Sequence, residues 1–236
     1  MTRAAPSRAQ GASGVPAAAP QSSPSGTPGR VSKKTVQREA SIERLTEAAA
    51  RLFVSQGYRS TTLDQIAAAA GYTKGIVYFH FRSKTALLMQ LLDRVERHVV
   101  DAVVARVRAA GPSAAEQMVT FLHTQAELGV ERSAEVLLLL VMSLEFGERE
   151  GEVSERITQI YKKLHLLTER TIRAGQKSGE FRADIPAREL ATMIMAVHDG
   201  TFLEWHRRKT HLNGRQLVRA MRSLVLDGLA PERPAR

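Results

Sequence analysis

Residues 61–84, TTLDQIAAAAGYTKGIVYFHFRSK, decide the fold of this chain. Their first half predicts a short helix, because Thr62 and Gln65 have the spacing of a capping box and apolar residues follow at helical intervals. Gly71 comes directly after that apolar stripe and tolerates the positive φ with which a helix ends and reverses. The sequence therefore predicts a capped helix followed by a tight turn.

A second helix is expected after this turn, with Thr73 as its cap and residues 74–79 as its length. Two short helices joined by a tight turn are typical of a DNA reader whose second helix enters the major groove. The same arrangement also occurs in helical proteins that never bind DNA. The distribution of charge helps to separate these two interpretations.

The positive charge of the chain is gathered around the helix-turn-helix. The net charge is +10, and residues 1–85 hold 12 Lys and Arg against 4 Asp and Glu. The remaining residues hold 22 against 20 and are close to neutral. A localised basic surface is the electrostatic signature of a phosphate-binding protein, so the sequence favours a nucleic acid as partner.

Composition argues against several classes of protein. The chain has no cysteine, which excludes disulfides and thiolate metal sites. The longest apolar run, residues 136–142, is far shorter than the ~18–20 residues that span a bilayer, so we expect a cytoplasmic protein without membrane association. The sequence contains no nucleophile elbow, zinc-protease motif, phosphate loop or dinucleotide fingerprint. An enzyme is therefore not expected, and neither a cofactor nor a metal site is predicted.

The chain divides into three parts. Residues 1–37 are rich in Pro, Ala, Ser and Gly, and we expect them to form a disordered basic extension. Residues 38–84 form the helix-turn-helix module, whose first helix is expected to be capped by Ser41 and to stop at Gly57. Residues 85–236 show helical periodicity and no strand pattern. The expected fold is all-α with about nine helices, a small N-terminal module and a larger C-terminal bundle.

Residues 41–93 resemble the N-terminal domain of the TetR (tetracycline-repressor) family of bacterial transcriptional regulators. The resemblance rests on AAARLFVSQG at residues 48–57 and above all on TKGIVYFHFRSK at residues 73–84. Residues 172–201 have a looser similarity to the C-terminal part of the family. The resemblance implies a ligand-responsive, dimeric DNA-binding regulator, usually a repressor that an effector releases from a palindromic operator.

The resemblance also implies which residues contact DNA. The matching positions of this chain are Thr62, Thr73, Lys74, Gly75, Tyr78, His80 and Lys84. These residue types are suitable, because glycine lets the backbone approach closely, lysine offers a cation to guanine, and tyrosine presents a hydroxyl and an apolar face. The start of a fourth helix, capped by Ser83, adds backbone donors for a phosphate. Phe79 and Phe81 are expected to lock the second helix onto its neighbours.

By the same resemblance, the C-terminal bundle holds an effector pocket. Residues 136–142 are apolar all round, which predicts a central helix, and nearby methionines favour a hydrophobic or amphipathic small molecule. The candidate ligand-binding residues are Met118, His123, Leu139, Met142, Ser143, His165 and His198. Each of them also fits an ordinary core or surface position.

The last two helices are expected to form the dimer interface, as they do in the family. Apolar residues recur along them at helical spacing. The candidate interface residues are Val197, Gly200, Leu217, Met221, Leu224 and Val225. The alternative interpretation is a stripe that only covers the core of the protomer itself.

The predicted protein is a homodimer that binds a double-stranded DNA operator and an unknown small-molecule effector. An effector in the bundle is expected to tilt the fourth helix and so to change the separation of the two DNA-reading helices. Two alternatives stay open at this point. One is a helical small-molecule-binding protein without sequence-specific DNA binding, and the other is an activator of the same family.

Overall fold

The N-terminal module consists of three helices around a small apolar core. The computed structural model describes residues 33–147, 149–208 and 210–231. The helices of the module are α1 (Lys33–Gln56), α2 (Leu63–Ala70) and α3 (Lys74–His80). Each helix contributes at least one fully buried residue to this core. They are Leu45 and Phe53 from α1, Ile66 from α2 and Val77 from α3.

Helix α1 begins at Lys33, so the predicted cap at Ser41 is wrong. The Ser41 hydroxyl instead donates to the backbone carbonyl of Gln37 at 2.8 Å, as serines inside helices often do. Residues 33–37 of the predicted extension are therefore helical, while residues 1–32 lie outside the described part of the chain. Gly57 ends α1 with a φ of 81°, as the sequence predicted.

The C-terminal part is a bundle of longer helices. α4 (Lys84–Val95), a π-helical turn (Glu96–Val100) and α5 (Asp101–Ala109) form one continuous rod. The other helices are α6 (Ala114–Glu131), α7 (Ser133–Phe146), α8 (Glu152–Ser178), α9 (Ala187–Arg208) and α10 (Gly214–Leu229). With the rod counted once, the described residues contain nine helices and no strand, which confirms the all-α prediction.

Helix α7 lies at the centre of the bundle, as the apolar run in its sequence predicted. Leu138 and Met142 are fully buried, and α7 packs against α1, α4, α6 and α8. Because α1 belongs to the N-terminal module, α7 contacts both parts of the protein.

Charged side chains fasten the rod to its neighbours. Arg94 of α4 pairs with Glu43 of α1 at 2.6 Å and with Glu135 of α7 at 2.9 Å. Arg156 of α8 pairs with Glu96 in the π-helical turn. The rod is therefore tied to the N-terminal module on one side and to the bundle on the other.

The start of α6 is capped by Glu180, which lies in the loop after α8. The Glu180 carboxylate accepts hydrogen bonds from the Ser113 hydroxyl at 2.6 Å and from the N–H groups of Ala114 and Ala115 at 3.2 and 3.1 Å. A negative charge is favourable at a helix N-terminus. These bonds, with that of Ser113 contributing most, lower the pKa of Glu180 to about 2.

We expect Glu180→Gln to lower Tm by a few degrees at neutral pH and by much less at pH 3. The pKa of Glu180 is lower in the folded than in the unfolded protein. Its stabilising contribution is therefore complete above the ordinary glutamate pKa of 4.5 and is lost as the pH falls towards about 2. Thermal unfolding followed by circular dichroism measures both values. Glu189→Gln, at an exposed acid in the first turn of α9, is the control, and equal losses in the two variants would contradict the assigned cap.

Candidate nucleic-acid interface and bundle cleft

The turn between α2 and α3 has the predicted geometry. The Thr62 hydroxyl accepts from the Gln65 N–H at 3.2 Å, and the Gln65 side chain accepts from the Thr62 N–H at 2.8 Å, which completes the capping box. Gly71 adopts a φ of 74° and ends α2. Thr73 is the N-cap residue of α3, as predicted, and has an extended backbone, although its hydroxyl makes no capping hydrogen bond.

Helix α3 presents a mixed polar and apolar face to solvent. The Lys74 side chain is 62% exposed, and Tyr78 is 49% exposed. The position of a β-carbon on Gly75 has no neighbouring atom within 4 Å, so the backbone here is open to a close approach. Lys74 Nζ lies 2.8 Å from the carboxylate of Asp64 in α2 and 5.5 Å from the centre of the Tyr78 ring. The hydrogen bond to Asp64 raises the pKa of Lys74, which stays charged.

Phe79 also belongs to this exposed face, against the prediction that it packs inward. Its side chain is 77% exposed, whereas Phe81 is 3% exposed and fulfils the predicted packing role. Val77 lies inside α3 and Phe81 is the extended residue that ends it, and both are buried. Phe79, between them, points to solvent.

His80 is half-buried at the end of α3. Its ring makes edge contacts with the rings of Phe79 and Phe81, with centroids 5.1 and 6.3 Å apart. Burial and the positive charge of Arg38 lower the pKa of His80, so the ring is uncharged at neutral pH.

The Lys84 ammonium points inward, in contrast to the predicted phosphate contact. It donates to the backbone carbonyls of Tyr58 at 2.6 Å, Thr61 at 2.7 Å and Arg59 at 3.3 Å. It also lies 4.3 Å from the centre of the Tyr58 ring. An ammonium has three donors, and all three are used here. Lys84 thus fixes the loop between α1 and α2, and burial lowers its pKa.

The last turn of α7 holds the same loop from another side. The Glu145 carboxylate accepts from the N–H of Tyr58 at 2.8 Å and from the N–H of Arg59 at 3.2 Å. The ring of Phe146 packs edge-on against Tyr58, with centroids 5.2 Å apart. The loop that leads into the helix-turn-helix is therefore joined to the central helix of the bundle.

The candidate ligand-binding residues do not converge on one cavity. Five of them lie outside a cleft in the bundle that the other two line, namely Met118, Leu139, Met142, Ser143 and His165. Met118, Leu139 and Met142 are buried among other apolar side chains. The Ser143 hydroxyl donates to the Leu140 carbonyl at 2.7 Å within its own helix. The three apolar side chains therefore belong to the packed core and do not line this cleft.

The cleft that these five residues do not line lies between α6, α9 and α10 and has a volume of about 1000 Å³. The two other candidates, His123 and His198, line it together with Gln125, Phe202 and Trp205. No motif marks this cleft in the sequence, because its walls come from three helices that are distant along the chain. A volume of this size is sufficient for a small organic molecule.

The outer faces of α9 and α10 revise the predicted dimer interface. Met221 and Val225 are 4% and 7% exposed and belong to the core of the protomer, so their assignment to the interface is wrong. Leu224 and Met193, in contrast, are 72% and 62% exposed, and Gly200 lies in open space. The two remaining candidates, Val197 and Leu217, are half-buried.

Two further properties concern only the part of the chain that the structure describes. It has no helix with the length and apolarity that a membrane span requires. It also has no group of three or more His, Cys, Asp or Glu side chains placed to hold a metal ion.

Two family models match this chain. The model described as bacterial regulatory proteins of the tetR family matches residues 45–91, and the model described as the tetracyclin repressor-like C-terminal domain matches residues 138–224. The first match contains α2, α3 and parts of α1 and α4. The second extends from within α7 to within α10.

Three individual regulators are also similar to most of this chain. The transcriptional repressor KstR2 of Rhodococcus jostii is 30% identical over 191 residues, which cover 79% of this chain and 89% of KstR2. The crystal structure of the MbdR regulator from Azoarcus sp. CIB is 41% identical with a TM-score of 0.74, and the match covers 80% of this chain and 98% of MbdR. AibR, solved with isovaleryl coenzyme A and operator DNA, shares the fold at 21% identity with a TM-score of 0.68, over 78% of this chain and 97% of AibR. The chain belongs to the TetR family of bacterial DNA-binding transcriptional regulators.

Proposed function

We propose that this protein is a dimeric, cytoplasmic repressor that binds a palindromic operator through α3 and is released by a small organic effector. The observation that supports DNA binding is the exposed face of α3. Lys74, Tyr78 and Phe79 combine a cation, a hydroxyl and two aromatic surfaces on one short helix. Large aromatic side chains are rarely left this exposed without a partner.

Contacts to bases and contacts to phosphates fall to different residues. Lys74 is suited to guanine acceptors, and the rings of Tyr78 and Phe79 are suited to thymine methyl groups. Thr62 and Thr73 lie exposed at the starts of α2 and α3, where a hydroxyl reaches a phosphate oxygen. We assign Lys84 to positioning the reader and not to the DNA.

The dimer is supported by the unpartnered faces of α9 and α10. Met193, Gly200 and Leu224 are exposed on two helices that contact each other, and the glycine permits close helix approach. Two copies of the same face would form an isologous four-helix interface. A two-fold axis at this position matches a palindromic site, because each α3 then reads one half-site.

The effector part is supported by the connections of α7 and by the complex described for AibR with both isovaleryl coenzyme A and operator DNA. Glu145 and Phe146 hold the loop before α2, and Arg94 joins α1 to α7. A ligand that prefers one arrangement of the bundle would therefore bias the orientation of the reader and lower its affinity for the operator.

The double substitution Tyr78→Ala and Phe79→Ala is expected to weaken operator binding by about 2–6 kcal/mol for each half-site, at ~1–3 kcal/mol for each base contact. Both side chains are exposed, so Tm should hardly change. Fluorescence anisotropy with a labelled operator at fixed salt measures the affinity. Leu166→Ala removes an exposed side chain from α8 and serves as the control. Unchanged operator affinity in the double variant would contradict the assigned reading face.

Asp64→Asn is expected to strengthen DNA binding a few-fold. The substitution removes the carboxylate that pairs with Lys74 and one negative charge that would face the phosphates. Because the positive charge of Lys74 is then no longer offset by a carboxylate near the DNA, the slope of log affinity against log salt should become steeper, by at most about 0.9. Asp227→Asn, at an exposed acid near the end of α10, is the matched control. Weaker binding would show that Asp64 holds Lys74 in its productive position.

Leu224→Asp is expected to convert the dimer into a monomer and to reduce operator affinity by at least about tenfold, because a charge would be buried at the interface. Sedimentation velocity measures the oligomeric state. Leu166→Asp places the same charge on an exposed leucine of α8 and should leave the dimer intact. A fully dimeric Leu224→Asp variant would place the interface elsewhere.

A further inference from the structure

We propose that the first turns of α1 form a second DNA contact, in which Lys34 and Arg38 bind backbone phosphates beside the groove that α3 enters. This role rests on the proposed function of α3 as the reading helix. Both residues precede the parts of the chain that the two family models match, which begin at residues 45 and 138.

Helix α1 continues beyond the apolar core of the N-terminal module. It begins at Lys33, but residues 34–40 are all exposed and burial begins only at Ser41. Most of the stability of a helix in a protein comes from packing of its apolar face, which this exposed segment does not have. About two turns of α1 therefore project from the module without a packing role.

The side of α1 that faces the core changes from apolar to basic along this projection. Lys34 and Arg38 precede the fully buried Leu45 by eleven and seven residues, so both point within about 20° of its direction. Their side chains lie on the core side of α1 but beyond the edge of the core. Glu39 is the only acid among residues 33–40 and points at least about 100° away from both.

Arg38 lies near the end of the reading helix. His80 is the last residue of α3, and its pKa is lowered by burial and then by the positive charge of Arg38. Such an effect requires the guanidinium to lie close to the imidazole ring. The basic side of α1 and the end of α3 therefore border the same stretch of surface.

The charges at the start of α1 have the wrong sign for an isolated helix. Lys33 and Lys34 lie in the first turn, which contains no acidic residue. The helix dipole is positive at this end, so an acid here stabilises a helix and a lysine destabilises it. A phosphate bound beside these lysines would offset their unfavourable interaction with the dipole. DNA thus gives them a role that the folded module alone does not.

The position of α1 beside α3 favours phosphates over bases as its target. The major groove of B-DNA is about 12 Å wide and admits one helix. With α3 in this groove, a neighbouring helix meets the sugar–phosphate backbone at the edge of the groove. Lys34 and Arg38 lie about 6 Å apart along the helix axis, so both can bind phosphates of the same strand.

Lys34→Ala combined with Arg38→Ala should weaken binding to an operator duplex and to a scrambled duplex of the same composition by the same factor. We expect a loss of at least about tenfold at ~100 mM salt, because phosphate contacts carry no sequence information. The slope of log affinity against log salt should become less steep by up to about 3.6, at ~0.9 for each of the four phosphates that a dimer contacts. Fluorescence anisotropy over a salt series with the full-length protein measures both. Tm should not fall, because alanine favours the helix.

Arg170→Ala combined with Lys177→Ala is the matched control. It removes one arginine and one lysine from exposed positions of α8, so the net charge changes equally. This variant should keep the affinities and the salt slope of the parent. Ethylation interference on operator DNA then locates the contacts. Ethylation of phosphates at the edge of each half-site should weaken binding of the parent but not that of the variant that lacks Lys34 and Arg38.

The outcomes separate this contact from the proposed reading face. If Tyr78→Ala with Phe79→Ala loses operator affinity while Lys34→Ala with Arg38→Ala does not, the reading face stands and the second contact is overturned. The reverse result would keep the second contact and contradict the reading face. A changed ratio of operator to scrambled affinity would overturn the assignment to phosphates. An equal loss in the α8 control would also overturn it, since net charge alone would then explain the effect.

Discussion

The inward-pointing ammonium of Lys84 is the interaction on which the DNA-reading module depends. Three backbone carbonyls of the loop between α1 and α2 converge on it, and that loop sets where α2, and through α2 the reading helix, can begin. The N–H groups of the same loop are taken by Glu145 from α7. The carbonyl groups of this short loop thus accept hydrogen bonds from the rod, and its N–H groups donate to the central helix. Its position is fixed by two elements of the bundle.

This arrangement gives the protein a physical route between its two parts. A loop held by one element alone would follow only that element, whereas a loop bonded to both α4 and α7 would be displaced when the two helices move relative to each other. Arg94 reinforces the connection, since its guanidinium contacts one carboxylate of the module and one of the bundle. A modest change in bundle packing would therefore reach α3 without any contact between the ligand and the reader.

Local signals in the sequence were sufficient to predict the fold and most of the helix-turn-helix. The capping box at Thr62, the glycine turn at Gly71 and the apolar run of α7 depend on neighbouring residues, and the structure confirms each of them. The direction of the Lys84 side chain and the burial of Met221 depend on residues far away in the chain. The bundle cleft likewise needs three separate helices. Such features follow from tertiary packing, which local spacing does not reveal.

The π-helical turn helps to keep the apolar residues of the rod on its buried side. Apolar residues recur every four positions along it, and Leu87, Leu91, Val95, Val99, Val103 and Val107 are all buried. In a regular α-helix such a repeat drifts by about 40° at each step, so the buried stripe would wind around the rod. The wider turn between Glu96 and Val100 absorbs part of this drift. Loss of one residue there would rotate the end that carries Ser83 by about 100° against the bundle. The rotation of the DNA-reading module relative to the bundle therefore depends on one additional backbone residue in the π-helical turn. This turn lies about 20 Å along the rod from Ser83.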